Sequence, residues 1–466
     1  MKPFYENPLT TRYSSVEMQQ IFSDDTRFGL WRRLWLALAK SEKALGLDIT
    51  DEQIAELEQH LDDINYDEAL AREKEVHHDV MSHIYALGLQ CPKAKPIIHL
   101  GATSCFVTDN SELIQMFRAL KVLKQRLIVV IKNLCDFALK YKDLPTLGFT
   151  HLQPAQLTTV GKRATLYVQD FMMDLENLSR IIDTFKLRGI KGTTGTQASF
   201  LELFEGDHEK VKKLNELVVN EMGFNKWFSV SGQTYTRKYD FEILSALSGI
   251  AQSASKFAND LRILQSKKEI EEPFGKKQVG SSAMAYKRNP MLSERICALS
   301  RFLISLPQNP AMTASTQWFE RTLDDSANRR LANSEAFLTA DSILLLMDKV
   351  TKNMVVYDKM IARHVSEELP FMATENILMD CVKAGGDRQA LHEAIRECSM
   401  EAAQNVKVNG GDNDLLERLK KSEAFKKFST IIDKSTDASL YIGRASAQTS
   451  EYVLGEVLPS LEKEDK

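Results

Sequence analysis

Two stretches of this sequence, 110–144 and 311–369, contain neither glycine nor proline, and that absence constrains the fold more than any motif does. β-Strands usually end within about ten residues, so runs of this length read as helix. In the first run Leu113, Ile114, Phe117, Leu120, Leu123, Leu127, Val130, Ile131 and Leu134 recur three and four positions apart, the spacing of one helix face. Asp109 or Asn110 is the expected N-cap and Pro145 the stop, which predicts a helix of roughly 30 residues, near 45–50 Å long. The same reasoning predicts long helices over 155–187, opened by Pro154 and closed by Gly189, and over 235–268. A fourth is expected over 323–353, where Asp324 and Asp325 complement the N-terminal dipole. Helices with such long apolar stripes bury them against one another, so the expected fold is all-α with a central bundle of long helices.

Shorter helices are expected on either side. Segments 25–45, 51–61 and 66–87 have helical patterning, and Trp31, Leu34, Trp35 and Leu38 share one apolar face. Beyond Tyr357 the pattern is punctuated by Pro370, Gly385-Gly386 and Gly410-Gly411, and the charged tail 461–466 is expected to fray. The expected organisation is therefore three helical domains: 1–103, a central bundle over 104–356 carrying a loop at 280–290, and 357–466.

A chain of 466 residues buries a large core without disulfides or metal. Sixty Lys and Arg against 64 Asp and Glu leave a formal charge of −4, so no global field draws it to nucleic acid or an anionic membrane. The longest aliphatic runs, 127–131 and 343–347, are far short of the ~20 residues needed to span a bilayer. The N-terminal residues show neither the apolar run of a secretory signal nor an Arg-rich presequence, so a cytoplasmic location is expected. The six cysteines contain no C-x-x-C pair, which points to reduced, mostly buried thiols.

Six clusters have the composition of a site. Gly280-Ser281-Ser282-Ala283-Met284-Ala285-Tyr286-Lys287-Arg288-Asn289-Pro290 combines small residues, two hydroxyls, a lysine and an amide; it suits a carboxylate, and equally an ordinary polar loop. Thr150-His151-Leu152-Gln153-Pro154-Ala155-Gln156 places a histidine at a helix start, either as a proton donor or as a cap. His77-His78-Asp79 with His83 raises metal binding, but His78 and His83 are five apart and do not share a helix face. Gly101-Ala102-Thr103-Ser104 and Gly192-Thr193-Thr194-Gly195-Thr196 are small hydroxyl-rich turns, and the second matches no phosphate-loop pattern. Arg321, Ser326, Arg329 and Arg330 form an anion cluster or, as readily, surface ion pairs with Asp324 and Asp325.

Together these segments resemble the fumarase/aspartase superfamily and, within it, the adenylosuccinate lyase family. Residues 280–290 are similar to the superfamily's signature loop G-S-S-x-M-P-x-K-x-N-P, and the likeness extends through Thr11-Arg12-Tyr13, residues 150–156, residues 232–237, residues 318–326 and Gly410-Gly411-Asp412-Asn413-Asp414. The resemblance implies a homotetramer with active sites built from three subunits. It also implies β-elimination of fumarate from adenylosuccinate, giving AMP, and from the succinyl-carboxamide ribotide SAICAR, giving AICAR, without cofactor or metal. On that basis Ser281 is the expected base, His151 the acid, Glu294 the group that polarises His151, and Lys287 the cation beside Ser281. Lys287, Thr103, Ser104, Thr150, Gln233 and Asn289 are expected at the succinyl carboxylates, and Ser282 is expected to bind substrate. Arg12, Tyr13, Arg321, Ser326 and Arg330 are expected at the phosphate and ribose, with His78 and Asp79 at the nucleotide and Arg295 lining the site.

Two positions depart from the family pattern. Ala285 replaces the usual proline, freeing φ and restoring an N–H, and His77 stands where an arginine commonly precedes His78. The competing readings are another fumarate-releasing lyase, such as argininosuccinate lyase, and a catalytically silent relative. The phosphate cluster argues against the first, and the presence of Ser281, His151, Lys287 and Glu294 against the second.

Overall fold

A computed structural model describes residues 3–464. The chain divides into two compact units: Met1–Leu127 with Met173–Ser255 and Cys297–Leu345, and Ile128–Met172 with Lys256–Ile296 and Leu346–Lys466. The boundaries fall inside five helices, Ser104–Lys140, Val160–Asp183, Lys238–Ser266, Met291–Ser305 and Asp325–Thr351. Among the described residues the structure is all-α, as expected, apart from two short two-stranded pieces and an isolated bridge between Leu187 and Trp227.

In the first unit, local signals set the helix ends. Ser23 accepts from the Thr26 N–H to start Asp24–Ala44, and Thr50 and Gln53 form a reciprocal capping box at the head of Asp51–Gln59. The face containing Trp31, Leu34, Trp35 and Leu38 is buried in a cluster with Phe28, Ile97, Phe106 and Leu214. Each such side chain contributes roughly 1.5–3 kcal/mol by leaving water. The helix expected over 66–87 is two, Tyr66–Val76 and Asp79–Gln90, because His77 turns left-handed at φ 51° and His78 caps the second. Neither glycine nor proline marks that corner. The long helix begins at Ser104, not at 109–110. Asp109 is drawn inside by Arg237, and Asn110 bonds both the N–H and the C=O of Gly189 at 2.9 and 3.1 Å.

The second unit contains the main departure from expectation. Residues 155–159 are not helical: β1 (Pro145–Thr150) and β2 (Gln153–Thr159) form an antiparallel hairpin, and helix starts only at Val160. Thr150 pairs with Gln153, so His151 and Leu152 are the two turn residues, at φ 54° and 57°. A second pairing joins Ile270 to Val356. The C-terminal helices pack Ile377, Leu391, Leu415, Leu419, Phe425 and Phe428 into their own core. Gly385 and Gly410 end helices with positive φ as expected, whereas Pro370 sits inside Asp358–Met372, in its last turn. The tail expected to fray is helical through Glu464, and residues 465 and 466 lie outside the described residues.

Candidate active site

Eight of the residues that the resemblance assigns to the site converge in the first unit on one cleft of about 740 Å³. His78 and Asp79 come from the left-handed corner, Thr103 and Ser104 from the turn opening Ser104–Lys140, and Gln233 from the loop before Lys238–Ser266. Arg321, Ser326 and Arg330 come from around the start of Asp325–Thr351. The surface ion pairs expected with Asp324 and Asp325 form only in part: Arg321 pairs with Asp325, a fully buried carboxylate, whereas Arg329 pairs with Asp240 and Glu112 and Arg330 with Asp79.

His78 Nδ1 accepts from the Met81 N–H at 3.3 Å, and its Nε2 lies 3.3 Å from Ser104 Oγ. An accepting Nδ1 carries no proton, so Nε2 donates to Ser104 and leaves the Ser104 hydroxyl hydrogen for a ligand. His83, by contrast, stacks on Phe28 with ring centroids 3.8 Å apart and takes no part in the cleft; burial first, then Arg27 and Arg32, pulls its pKa down to about 4.

Three of the cleft's four arginines rest on buried carboxylates. Arg321 Nη1 donates to both oxygens of Asp325 at 2.8 and 2.9 Å. Asp325 also accepts from Arg237 Nε at 2.7 Å, and Arg237 Nη2 reaches Asp109 at 3.0 Å. Arg329 donates to Asp240 at 2.6 Å and lies 2.7 Å from Glu112, and the more exposed Arg330 donates to Asp79 at 2.9 Å. Burial pushes the Asp109 carboxyl up, but Arg237, Arg329 and Arg188 outweigh it and hold it below its ordinary range. Such a lattice fixes guanidinium positions before any ligand arrives, the condition for electrostatic preorganisation. Asp109 and Arg237 were legible only as a cap and a motif member, and Asp325 as a dipole and ion-pair partner of its near neighbours, because the pairing of Arg237 with Asp109 and Asp325 joins positions far apart in sequence. Arg12 and Tyr13 are not part of this lining; they lie on the turn Leu9–Tyr13, with the Arg12 guanidinium 5.8 Å from the Tyr13 ring centroid.

The remaining candidates belong to the second unit. Thr150 and His151 are exposed at the hairpin tip. Ser281 is half-buried, and its Oγ faces the N–H groups of Met284 and Ala283 at 3.1 and 3.4 Å. Ser282 and Lys287 are exposed, and the Asn289 amide donates to Gly280 O at 2.7 Å across the loop base. Gly280 is obligatory there, since a Cβ would come 2.1 Å from Lys287 O. Glu272, almost wholly buried, ties the end of the loop: its carboxylate accepts from the Leu292 N–H, the Ser293 N–H and the Ser293 hydroxyl at 2.8–2.9 Å. Glu294 is exposed in the first turn of Met291–Ser305, with Arg295 half-buried beside it.

A fold of this kind occurs in a 3-carboxy-cis,cis-muconate lactonizing enzyme from Pseudomonas putida, with a TM-score of 0.82 at 20% identity, covering 96% of this chain and 98% of that one. It also occurs in a fumarate lyase from Mesorhizobium sp. BNC1, with a TM-score of 0.80 at 21% identity over 97% and 100% of the two chains. A lyase family model matches residues 12–302, so the fold and the cleft define a lyase of the fumarase/aspartase superfamily. The adenylosuccinate lyase C-terminus model matches residues 370–452. Adenylosuccinate lyases of Schizosaccharomyces pombe and Saccharomyces cerevisiae are 52% and 51% identical to this chain over 98% of it and 95% and 96% of their own lengths. The chain belongs to the adenylosuccinate lyase family.

Proposed function

We propose that this C–N lyase eliminates fumarate from adenylosuccinate to give AMP, and from SAICAR to give AICAR. The observation that carries the substrate assignment is the cleft, where Arg321, Ser326 and Arg330 gather cationic and hydroxyl donors suited to a phosphate. Argininosuccinate has no phosphate to place there.

The chemistry needs a base for the proton on the carbon beside a succinyl carboxylate and an acid for the departing nitrogen. Ser281 takes the first role. Two N–H groups aimed at its Oγ favour the alkoxide over the alcohol, and Lys287 on the same loop adds positive charge. His151 takes the second, held at a hairpin tip, with Glu294 as its polarising partner. Thr103, Ser104, Thr150, Gln233, Ser282 and Asn289 hold the carboxylates, and Arg295 lines the site. Arg12 and Tyr13 join Arg321, Ser326 and Arg330 at the phosphate and ribose, and His78 and Asp79 contact the nucleotide. Loop closure over the substrate completes the base, so the loop's motion belongs to the catalytic cycle.

The working enzyme is a cytoplasmic homotetramer in which each active site draws on three subunits, and 1–103, 104–356 and 357–466 act as its three domains. Supporting the assembly, a groove beside the hairpin exposes Leu152, Leu166 and Ile263, an apolar surface that a second copy would cover. Among the described residues no helix is long and apolar enough to cross a membrane.

The test is ultraviolet detection of metal-stripped protein acting on adenylosuccinate, with argininosuccinate as control. Release of AMP and fumarate from the first alone is the expected result; turnover of argininosuccinate alone contradicts the phosphate assignment.

A further inference from the structure

The turn Gly192-Thr193-Thr194-Gly195-Thr196 matches no phosphate-binding pattern and has no part in the scheme above, yet it is built around a large buried cation. Arg188 is fully buried. A guanidinium in such a place needs its donors satisfied, and it stays charged. Its Nε donates to Gln233 O at 2.7 Å, its Nη1 to Gly189 O at 3.2 Å and its Nη2 to Gly192 O at 3.0 Å. The fork thus joins the 189–192 main chain to the residue that carries one of the cleft's amides.

Gln233 is held from two further sides. Its N–H donates to Glu320 O at 3.0 Å, and its Oε1 accepts from Cys105 Sγ at 3.6 Å. With the side-chain oxygen engaged, the NH2 group is the donor left for a ligand in the cleft. The stretches that meet here touch through their backbones. A Cβ on Gly195, at φ +83°, would come 1.8 Å from Ser231 O, and one on Gly232 would come 2.6 Å from Glu320 O. Gly195 and Gly232 therefore serve a close approach around Arg188, while Gly192 is set by its left-handed φ of +75°, and no phosphate loop is required to explain them.

We propose that Arg188 is a positioning residue for the succinyl-carboxylate end of the reaction: from beneath the cleft it fixes the Gln233 main chain, and so the amide that Gln233 presents to the substrate. This rests on the reading of Gln233 as a carboxylate ligand. A lysine keeps the charge at 188 but not the planar fork that serves three carbonyls.

The experiment measures product-inhibition constants for fumarate and for AMP in Arg188→Lys and Gly195→Ala, with Gln233→Ala alongside and circular dichroism to confirm folding. Gly195→Ala leaves the guanidinium in place but forces the 195 and 231 main chains apart, so it tests the same device if Arg188→Lys does not fold. The expected result is a fumarate constant raised about tenfold in all three, the scale of one lost hydrogen bond to a charged group, with the AMP constant within about twofold of wild type. A merely structural role for Arg188 would move both constants together or neither, and either outcome overturns the proposal. If Gln233→Ala alone raises the fumarate constant, Arg188 is excluded and the cleft reading stands; if Gln233→Ala has no effect, the reading beneath the proposal fails with it.

Discussion

In the first unit each of the four arginines lining the cleft already holds a carboxylate, and three of the carboxylates involved, Asp109, Asp240 and Asp325, have no more than about 2% of their side chains exposed. In the second unit the candidate acid sits at the tip of a two-residue turn, and the candidate base lies on a loop whose tip is exposed. On the proposed function the contrast separates two tasks. Recognition of a multiply charged nucleotide needs fixed positive charge, which a folded subunit can provide in advance at the desolvation cost of a buried ion network. Proton transfer needs a dry, enclosed site, and groups as exposed as His151 and Lys287 gain that only when something covers them. Within the cleft the same division recurs on a smaller scale. The half-exposed Arg330–Asp79 pair contributes on the order of 1 kcal/mol or less and is easily exchanged for a phosphate, whereas Arg321 on Asp325 is set deeper.

The largest expected effect falls on the second unit. Ser281→Ala and His151→Gln should each lower turnover by at least about 10²-fold while leaving thermal stability unchanged, because both residues lie at exposed or half-exposed loop positions; stopped-flow or steady-state rates beside calorimetry check this, and near-normal turnover removes the residue from the mechanism. Next comes acid sensitivity of the first unit. Burial holds His83 and His99 at about 4, below the unfolded value near 6.5. Between those values the unfolded chain binds protons that the folded chain does not, so stability falls as pH drops from about 6.5 toward 4, by about 2 kcal/mol per histidine at pH 5. All four tryptophans, 31, 35, 227 and 318, belong to the first unit, so urea midpoints followed by their fluorescence report it directly; a flat profile from pH 7 to 5 contradicts the burial argument.

Smaller effects sharpen the contrast. Arg321→Met removes a cleft cation and should raise the AMP dissociation constant roughly 10- to 100-fold with a much smaller change in kcat, as isothermal titration will show; unchanged AMP affinity would take the phosphate away from this cleft. Glu272→Gln weakens the tie between the loop's start and the helix that follows it, and should cost about 1 kcal/mol of stability and a few-fold in turnover, read by denaturation and by rates on the same samples. An effect on AMP binding there would blur the separation of tasks.

The long helices were legible because their apolar stripes repeat locally, with no breaker over 110–144. The hairpin was not, for two reasons. Pro154 mimics a helix start, and the turn itself uses His151 and Leu152 at positive φ where Asn-Gly or Asp-Gly would have signalled a type I′ turn. The corner at His77 is hidden the same way, by a left-handed non-glycine residue. Within the site, sequence resemblance named His78, Ser104, Gln233, Arg321, Ser326 and Arg330, and the structure gathers them into one cleft. What no local pattern reveals is support from below: Asp109 meets Arg237, and Arg188 meets Gln233, only because the chain folds.

The most direct test of the division between the two regions is AMP affinity in Ser281→Ala, measured by calorimetry on the same preparation whose turnover is assayed. The account predicts turnover lower by at least about 10²-fold with AMP binding within about twofold of wild type. Loss of AMP affinity in parallel with turnover would contradict it, because recognition would then depend on the loop and not on the prebuilt cleft.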